Sequence, residues 1–181
     1  MANEAADYLL EKHGIISLPD TIDHAGYEMV LHRLTQGRTL HPDKPLRLFC
    51  HGSGGLTYDT LAIVDLIRAD GRVDGMLSGV ARSSASVIWA SCTRRFVYPL
   101  GRIGVHPVQQ DHAAGTAEDF LMETMELQAL DWDMCVIYAA ASNKLAEWWK
   151  LKLYEPGDFK WLLANELIAI EMGKPVSERA S

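Results

Sequence analysis

The chain has 181 residues, of which 48% are hydrophobic and 23% charged, and its formal net charge is −7 at pH 7. A chain of this size and composition can bury one hydrophobic core, so we predict a single domain over residues 1–181. The acidic balance, without a run of basic residues, argues against a nucleic-acid partner, and no apolar run reaches the roughly 18 residues of a membrane span. Because acidic residues precede the first basic one, no secretory signal is predicted and a cytoplasmic protein is expected.

Strand and helix patterns alternate along the chain, as is typical of an α/β fold. Apolar and turn residues predict strands at 14–18, 46–50, 73–81, 94–99 and 101–106. Helices are predicted at 23–34 with Asp23 as N-cap, at 60–70 ending near Gly71, and at 84–91. A further helix is predicted to begin near Phe159, after a Pro-Gly turn.

The longest predicted helix begins after Thr116, which forms a capping pattern with Asp119, and extends to about residue 141. At about 100° per residue, its apolar residues fall on two nearly opposite sides. One side carries Leu121, Met125, Trp132 and Val136, and the other carries Leu127, Leu130, Met134 and Ile137. Such a helix needs two packing partners, and the second can be either the core of the same chain or another subunit.

The three cysteines are predicted to be reduced thiols in the core. Cys50, Cys92 and Cys135 are an odd number, widely spaced and in apolar surroundings. This pattern favours buried thiols over disulfides or a metal cluster.

Two serines stand where a predicted strand gives way to a helix. Ser53 lies in HGSGG, which lacks the first glycine of the G-x-S-x-G nucleophile elbow. Its flanking glycines suit backbone N–H donation to an anion, or a tight turn without a ligand. Ser83 precedes a helix of small residues, where the amide of Ser84 could stabilise an oxyanion, and the simpler role for Ser83 is a helix cap.

Candidates for a general base and its orienting acid follow from position alone. His106 ends a predicted strand at the rim of the sheet, and His51 is its rival because it ends the strand before the glycine turn. Asp158 follows a turn and could orient the base or cap the helix expected there, and Glu155 and Asp111 are weaker candidates.

Taken together, these stretches resemble the Clp protease proteolytic subunit, ClpP, of the crotonase-like superfamily. HPDKPLRLFCHGSGG is similar to the family's DPEKPIYLYINSPGG, and GVARSSASVIWA is similar to GQAASMGAFLLA. RRFVYPLGRIGVHPV likewise resembles KRFCLPNSRVMIHQP. The resemblance implies an α/β superhelix of strand-strand-helix units. It divides the domain into a head, about 8–106 and 142–175, and a protruding handle helix, about 107–141.

The resemblance also implies a site. It assigns the nucleophile to Ser83, the base to His106 and, on a looser match, the acid to Asp158. The amides of Gly55 and Ser84 would form the oxyanion hole, and Ser53 takes the place of the family's proline.

By the same resemblance, the expected function is that of a serine endopeptidase, which hydrolyses peptides or unfolded proteins inside stacked homo-oligomeric rings, without a metal or cofactor. The peptide is expected to add as a strand along the edge after His106. The N-terminal loops that would engage an AAA+ unfoldase look short. Open alternatives are a non-catalytic ring subunit, a phage-type or signal-peptide-type peptidase, and, less favoured, an acyl-thioester enzyme of the same superfamily.

Overall fold

The structure, a computed structural model, describes residues 2–109 and 115–176, with side chains from residue 4. The helices are α1 (Ala2–His13), α2 (His24–Leu40), α3 (Thr57–Asp70), α4 (Ser84–Ser91), α5 (Ala117–Ala140), α6 (Ala146–Leu153) and α7 (Ala164–Ala169). The strands are β1 (Ile15–Ser17), β2 (Thr21–Ile22), β3 (Leu46–Gly52), β4 (Gly54–Gly55), β5 (Val73–Arg82), β6 (Arg94–Val97), β7 (Arg102–Val105), β8 (Lys160–Leu163) and β9 (Lys174–Pro175).

The main sheet is mostly parallel and runs in the order β1, β3, β5, β6 and β9. Strand β7 lies beside the last part of β5, and β8 pairs with β7 as the antiparallel strand. A small second sheet joins β2 to β4 in parallel. The predicted α/β class is confirmed.

Strand β5 pairs with two different strands along its length, and the second pairing positions residues of the candidate site. Its first half pairs with β6, up to Leu77 opposite Val97. Its last residues, from Val80 to Arg82, pair instead with β7. The end of β5 is therefore fixed beside the end of β7, where His106 follows.

Several helix ends have the capping residues that the sequence predicted. The Asp23 side chain accepts a hydrogen bond from the amide of Gly26 at 2.8 Å, and Gly71 closes α3 with φ of 69°. Thr116 and Asp119 form a reciprocal capping box at the start of α5. Helix α2 extends beyond its predicted end at residue 34, to Leu40.

The helix predicted to begin near Phe159 is wrong, because residues Lys160–Leu163 form strand β8. Their side chains alternate between buried and exposed, with Lys160 and Leu162 inside. Pairing with β7, from Arg102 opposite Leu163 to Val105 opposite Lys160, holds them in the sheet. Asp158 therefore caps no helix.

Helix α5 has one buried and one exposed apolar side. Leu130, Met134 and Ile137 are buried in the core of the same chain. The opposite side remains exposed by 60% at Leu121, 57% at Met125, 40% at Trp132 and 43% at Val136. One predicted packing partner is thus the chain's own core, and the second side is uncovered in the monomer.

The predicted burial of the three cysteines is confirmed, and all three are free thiols. Burial raises the pKa of Cys50 well above its usual value and raises the pKa of Cys135 to about 11. Protonated thiols of this kind are poor nucleophiles and poor metal ligands. Across residues 2–109 and 115–176, no helix is both long enough and apolar enough to cross a membrane.

Candidate active site

Ser83 has a strained backbone at the junction of β5 and α4. Its φ is 49° and its ψ is −126°, a region that residues with a side chain seldom occupy. Such a conformation costs about 1–3 kcal/mol and persists only where the surroundings impose it. The amide of Ser83 donates to the carbonyl of Gly104 at 2.8 Å, and its carbonyl accepts the Ser86 hydroxyl at 2.6 Å. Both backbone groups of Ser83 are therefore held.

A hydroxyl chain connects this strained residue to α5. Since Ser86 donates its proton to the Ser83 carbonyl, the Tyr138 hydroxyl donates to Ser86 Oγ, at 2.7 Å. Tyr138 is fully buried, and burial raises the pKa of its phenol well above the usual range. It therefore remains a neutral donor, and α5 helps to hold the start of α4.

The turn of Gly54 and Gly55 presses against Ser83 in a way that only glycine allows. Gly54 has φ of 105°, and a Cβ added there would lie 2.6 Å from the Cβ of Ser83. Gly55 has φ of 155°, and its added Cβ would lie 1.9 Å from the carbonyl oxygen of Ile22. The Ser84 hydroxyl donates to the Gly55 carbonyl at 3.0 Å, which ties this turn to α4.

Four of the five site residues predicted from the sequence line one cavity of about 190 Å³, namely Gly55, Ser83, Ser84 and His106. Ser84 is the first residue of α4, so its amide has no acceptor within the helix. The positive end of the α4 dipole lies at this amide. A hydroxyl, an imidazole and backbone donors thus share one cavity, as acyl transfer requires.

His106 follows β7 and is half-buried. Burial lowers its pKa, while the Pro107 carbonyl and the charge of Asp131 act in the opposite direction. Its ring meets that of Phe159 edge-on, with centroids 4.8 Å apart. Within the described part of the chain, no group hydrogen bonds to its buried Nδ1.

The two predicted orienting acids that the structure describes, Asp158 and Glu155, have no hydrogen bond to His106. The Asp158 side chain is exposed, and the neighbouring Phe159 occupies the space beside the imidazole. Glu155 is exposed and forms an ion pair with Lys152 at 2.9 Å. Asp111 lies outside the described residues.

The rival base and the rival nucleophile have other partners. His51 is exposed, accepts the amide of Val80 at Nδ1 at 3.2 Å and is absent from the cavity that contains Ser83. The Ser53 hydroxyl contacts Asp20 at 3.4 Å and accepts from Arg82 at 3.1 Å. Both residues therefore support the turn around the glycines.

Sequence reasoning missed Asp131, a carboxylate on the buried side of α5. Asp131 lies one helical turn from both Leu127 and Met134, two residues that the sequence had placed on one apolar side of this helix. A single acidic residue within an apolar stripe is an unusual pattern, and this pattern could have identified Asp131 as a candidate functional residue.

Comparison with known protein families agrees with the resemblance found in the sequence. The Clp protease family model matches residues 2–153, which include Gly55, Ser83 and His106 and stop short of Asp158. Within the described residues, no group of three or more His, Cys, Asp or Glu side chains could hold a metal ion. The match covers most of the chain, and the protein belongs to the Clp protease family of peptidases.

Proposed function

We propose that the protein is a serine endopeptidase in which Ser83 is the nucleophile and His106 the general base. The observation that carries this proposal is the strained Ser83, which shares its cavity with His106 and lies at the start of a helix. A helix cap without a catalytic role would need neither the strain nor the imidazole. Membership in a peptidase family supplies the reaction class.

In the proposed reaction, the Ser83 hydroxyl oxygen bonds to the substrate carbonyl carbon and His106 takes the hydroxyl proton. The amides of Gly55 and Ser84 bind the oxyanion. Collapse of the intermediate breaks the C–N bond, and His106 gives its proton to the leaving amine. Water then hydrolyses the acyl-serine with His106 again as base, so the step needs no metal or cofactor.

The cavity suits a small or medium-sized apolar side chain next to the cleaved bond. Val87, Val108 and Met134 contribute its apolar lining. Strand β8 already occupies the edge of β7, so an added peptide strand would have to pair with residues 107–109, which form no strand in the structure. Backbone pairing there would recognise peptides with little dependence on sequence.

Peptidases of the Clp family form oligomeric rings, and we infer the same for this chain. The exposed apolar side of α5 supports the inference, because several large apolar side chains on one side of a helix favour a protein contact. We infer that a second copy of α5 covers this surface, since a self-complementary contact is the usual way to pair identical subunits.

The proposal is tested by a fluorophosphonate probe and a short fluorogenic peptide, both without ATP. We expect the probe to modify the protein once per chain, on the proteolytic fragment that contains Ser83, and to block peptide cleavage. Modification of a different serine would contradict the assignment. Absence of both labelling and cleavage would favour the second candidate, a non-catalytic ring subunit. This candidate is supported by Nδ1 of His106, which has no hydrogen-bond partner among the residues that the structure describes.

Activity is expected to persist at lower pH than an ordinary histidine allows. The neutral imidazole is the base, and burial lowers the pKa of His106, so protonation removes the base only at lower pH. The acid limb of the kcat/KM profile should have its midpoint below about 6.5, the ordinary value for histidine. His51→Ala should leave that midpoint unchanged. A midpoint above the ordinary value would contradict the lowered pKa of His106, and a shift in His51→Ala would contradict His106 as the only titrating base.

A further inference from the structure

The imidazole of His106 lacks a direct carboxylate partner in the described part of the chain. Its Nδ1 is buried and accepts or donates no hydrogen bond there. The Phe159 ring packs edge-on against the imidazole, with the two ring centroids 4.8 Å apart. A general base in a serine hydrolase needs a group that fixes its orientation and stabilises its protonated form. Another residue must supply these two effects.

Asp131 is a buried carboxylate that is hydrogen-bonded to the segment carrying this ring. It is 4% exposed and projects from α5. Its Oδ1 accepts the amide of Val108 at 2.6 Å, and its Oδ2 accepts the hydroxyl of Tyr154. Hydrogen bonds to both oxygens offset part of the cost of burying the charge.

The bond to Val108 fixes the segment that carries the base. Val108 is two residues after His106, and both line the cavity of Ser83. Pro107 between them restricts the backbone, so holding the Val108 amide limits where the imidazole can lie. The charge of Asp131 also acts to raise the pKa of His106, against the larger effect of burial.

We propose that Asp131 is the positioning residue for His106, through its hydrogen bond to Val108 and through its negative charge, in the role that the family resemblance implied for Asp158. This inference rests on the proposed peptidase function. The charge would stabilise the imidazolium that forms when His106 takes the proton of Ser83, and the hydrogen bond would keep the ring in the cavity.

The other charged side chains on the described elements around His106 make different contacts or are exposed. Arg82, from β5, lies over the Phe159 ring, with its Cζ 5.8 Å from the ring centroid. The Lys160 ammonium, from β8, donates to the carbonyl of Gly157, and Asp158 is exposed. On α6, Lys150 lies over the ring of Trp132. These groups stay constant when Asp131 alone is changed.

Asp131→Asn removes the negative charge of residue 131 while it keeps the shape of the side chain. The amide oxygen can still accept from Val108 and the amide nitrogen can donate to the Tyr154 oxygen, so only the charge is lost. We expect kcat to fall about tenfold or more, with KM changed less, because the lost charge stabilised the transition state. The acid limb of kcat/KM should move to lower pH. A purely structural role would leave the position of this limb unchanged.

Two controls test the assignment in proteins that keep the charge of Asp131. Tyr154→Phe removes one hydrogen bond to Asp131, and Asp158→Asn removes the exposed carboxylate. Both are expected to keep the acid limb of the parent protein. If Asp158→Asn shifts that limb to lower pH, the proposal is overturned, and this holds even if Asp131→Asn fails to fold.

A nuclear magnetic resonance titration of the His106 ring makes the test independent of activity, with the signal assigned by its loss in His106→Gln. The pKa of His106 should be lower in Asp131→Asn than in the parent. An unchanged titration overturns the inference. A shifted titration in a protein that neither cleaves nor labels would support the coupling of the two residues while the peptidase proposal fails.

Discussion

Replacing Ser83 with alanine is expected to lower kcat/KM for peptide cleavage by at least about 10³-fold and to abolish fluorophosphonate labelling. The substitution removes the attacking oxygen and leaves the oxyanion donors and the substrate cavity in place. We expect a smaller loss than the roughly 10⁶-fold of a complete triad, because no carboxylate of the described residues bonds to Nδ1 of His106. Alanine meets the same backbone strain as serine, so the thermal midpoint should change little.

Ser53→Ala is the matched control for this loss. Ser53 precedes Gly54 and Gly55 in HGSGG, but its hydroxyl contacts Asp20 and Arg82 and does not line the cavity. Cleavage and labelling should both remain. Labelling that survives in Ser83→Ala and disappears in Ser53→Ala would reverse the two assignments and remove the basis of the proposed function.

Local sequence signals were sufficient for the elements that carry Ser83. The stretch VDGMLSGVA predicted β5 and a run of small residues predicted α4, while the two glycines that were predicted as a turn form the short strand β4. The cap of Asp23 and the capping box of Thr116 depend only on residues within one helical turn, and both are present. Interactions between near neighbours in the chain can be derived from the chain alone.

The region around Asp158 shows where such signals fail. Residues 160–163 form β8 because they pair with β7, and nothing within the segment identifies a partner more than fifty residues away. The resulting strand brings Phe159, and not Asp158, against His106. A choice between adjacent residues depends on strand register, which a sequence pattern does not fix here.

The sequence pattern of α5 predicts that Asp131 is buried, but it does not predict which residues Asp131 contacts. Helical periodicity places it among the buried residues of α5, which marks it as unusual. The identity of its partners, Val108 and Tyr154, depends on how α5 packs against the segment after β7 and against the end of α6. That packing is a property of the tertiary structure.

Gly55→Ala is expected to lower the free energy of unfolding by about 3 kcal/mol or more and to abolish activity. An added Cβ would lie 1.9 Å from the carbonyl oxygen of Ile22 and 2.7 Å from its backbone nitrogen and carbon. These atoms are backbone, so they cannot rotate away, and β2 must separate from β4. The thermal midpoint should fall by about 10 °C, and movement of the Gly55 amide should remove an oxyanion donor worth about 10²-fold or more in kcat.

Gly71→Ala separates this close contact from ordinary backbone strain. Gly71 also has a left-handed conformation, with φ of 69°, but the nearest atom to an added Cβ is the Arg68 carbonyl oxygen at 3.9 Å. It should therefore cost only about 1–2 kcal/mol, with activity retained, because it lies at the end of α3 and outside the cavity. Equal losses in the two variants would show that strain alone accounts for Gly55. A larger loss at Gly55 would mean that the second glycine of HGSGG is required by the approach of Ile22, which fixes the position of its amide beside Ser83.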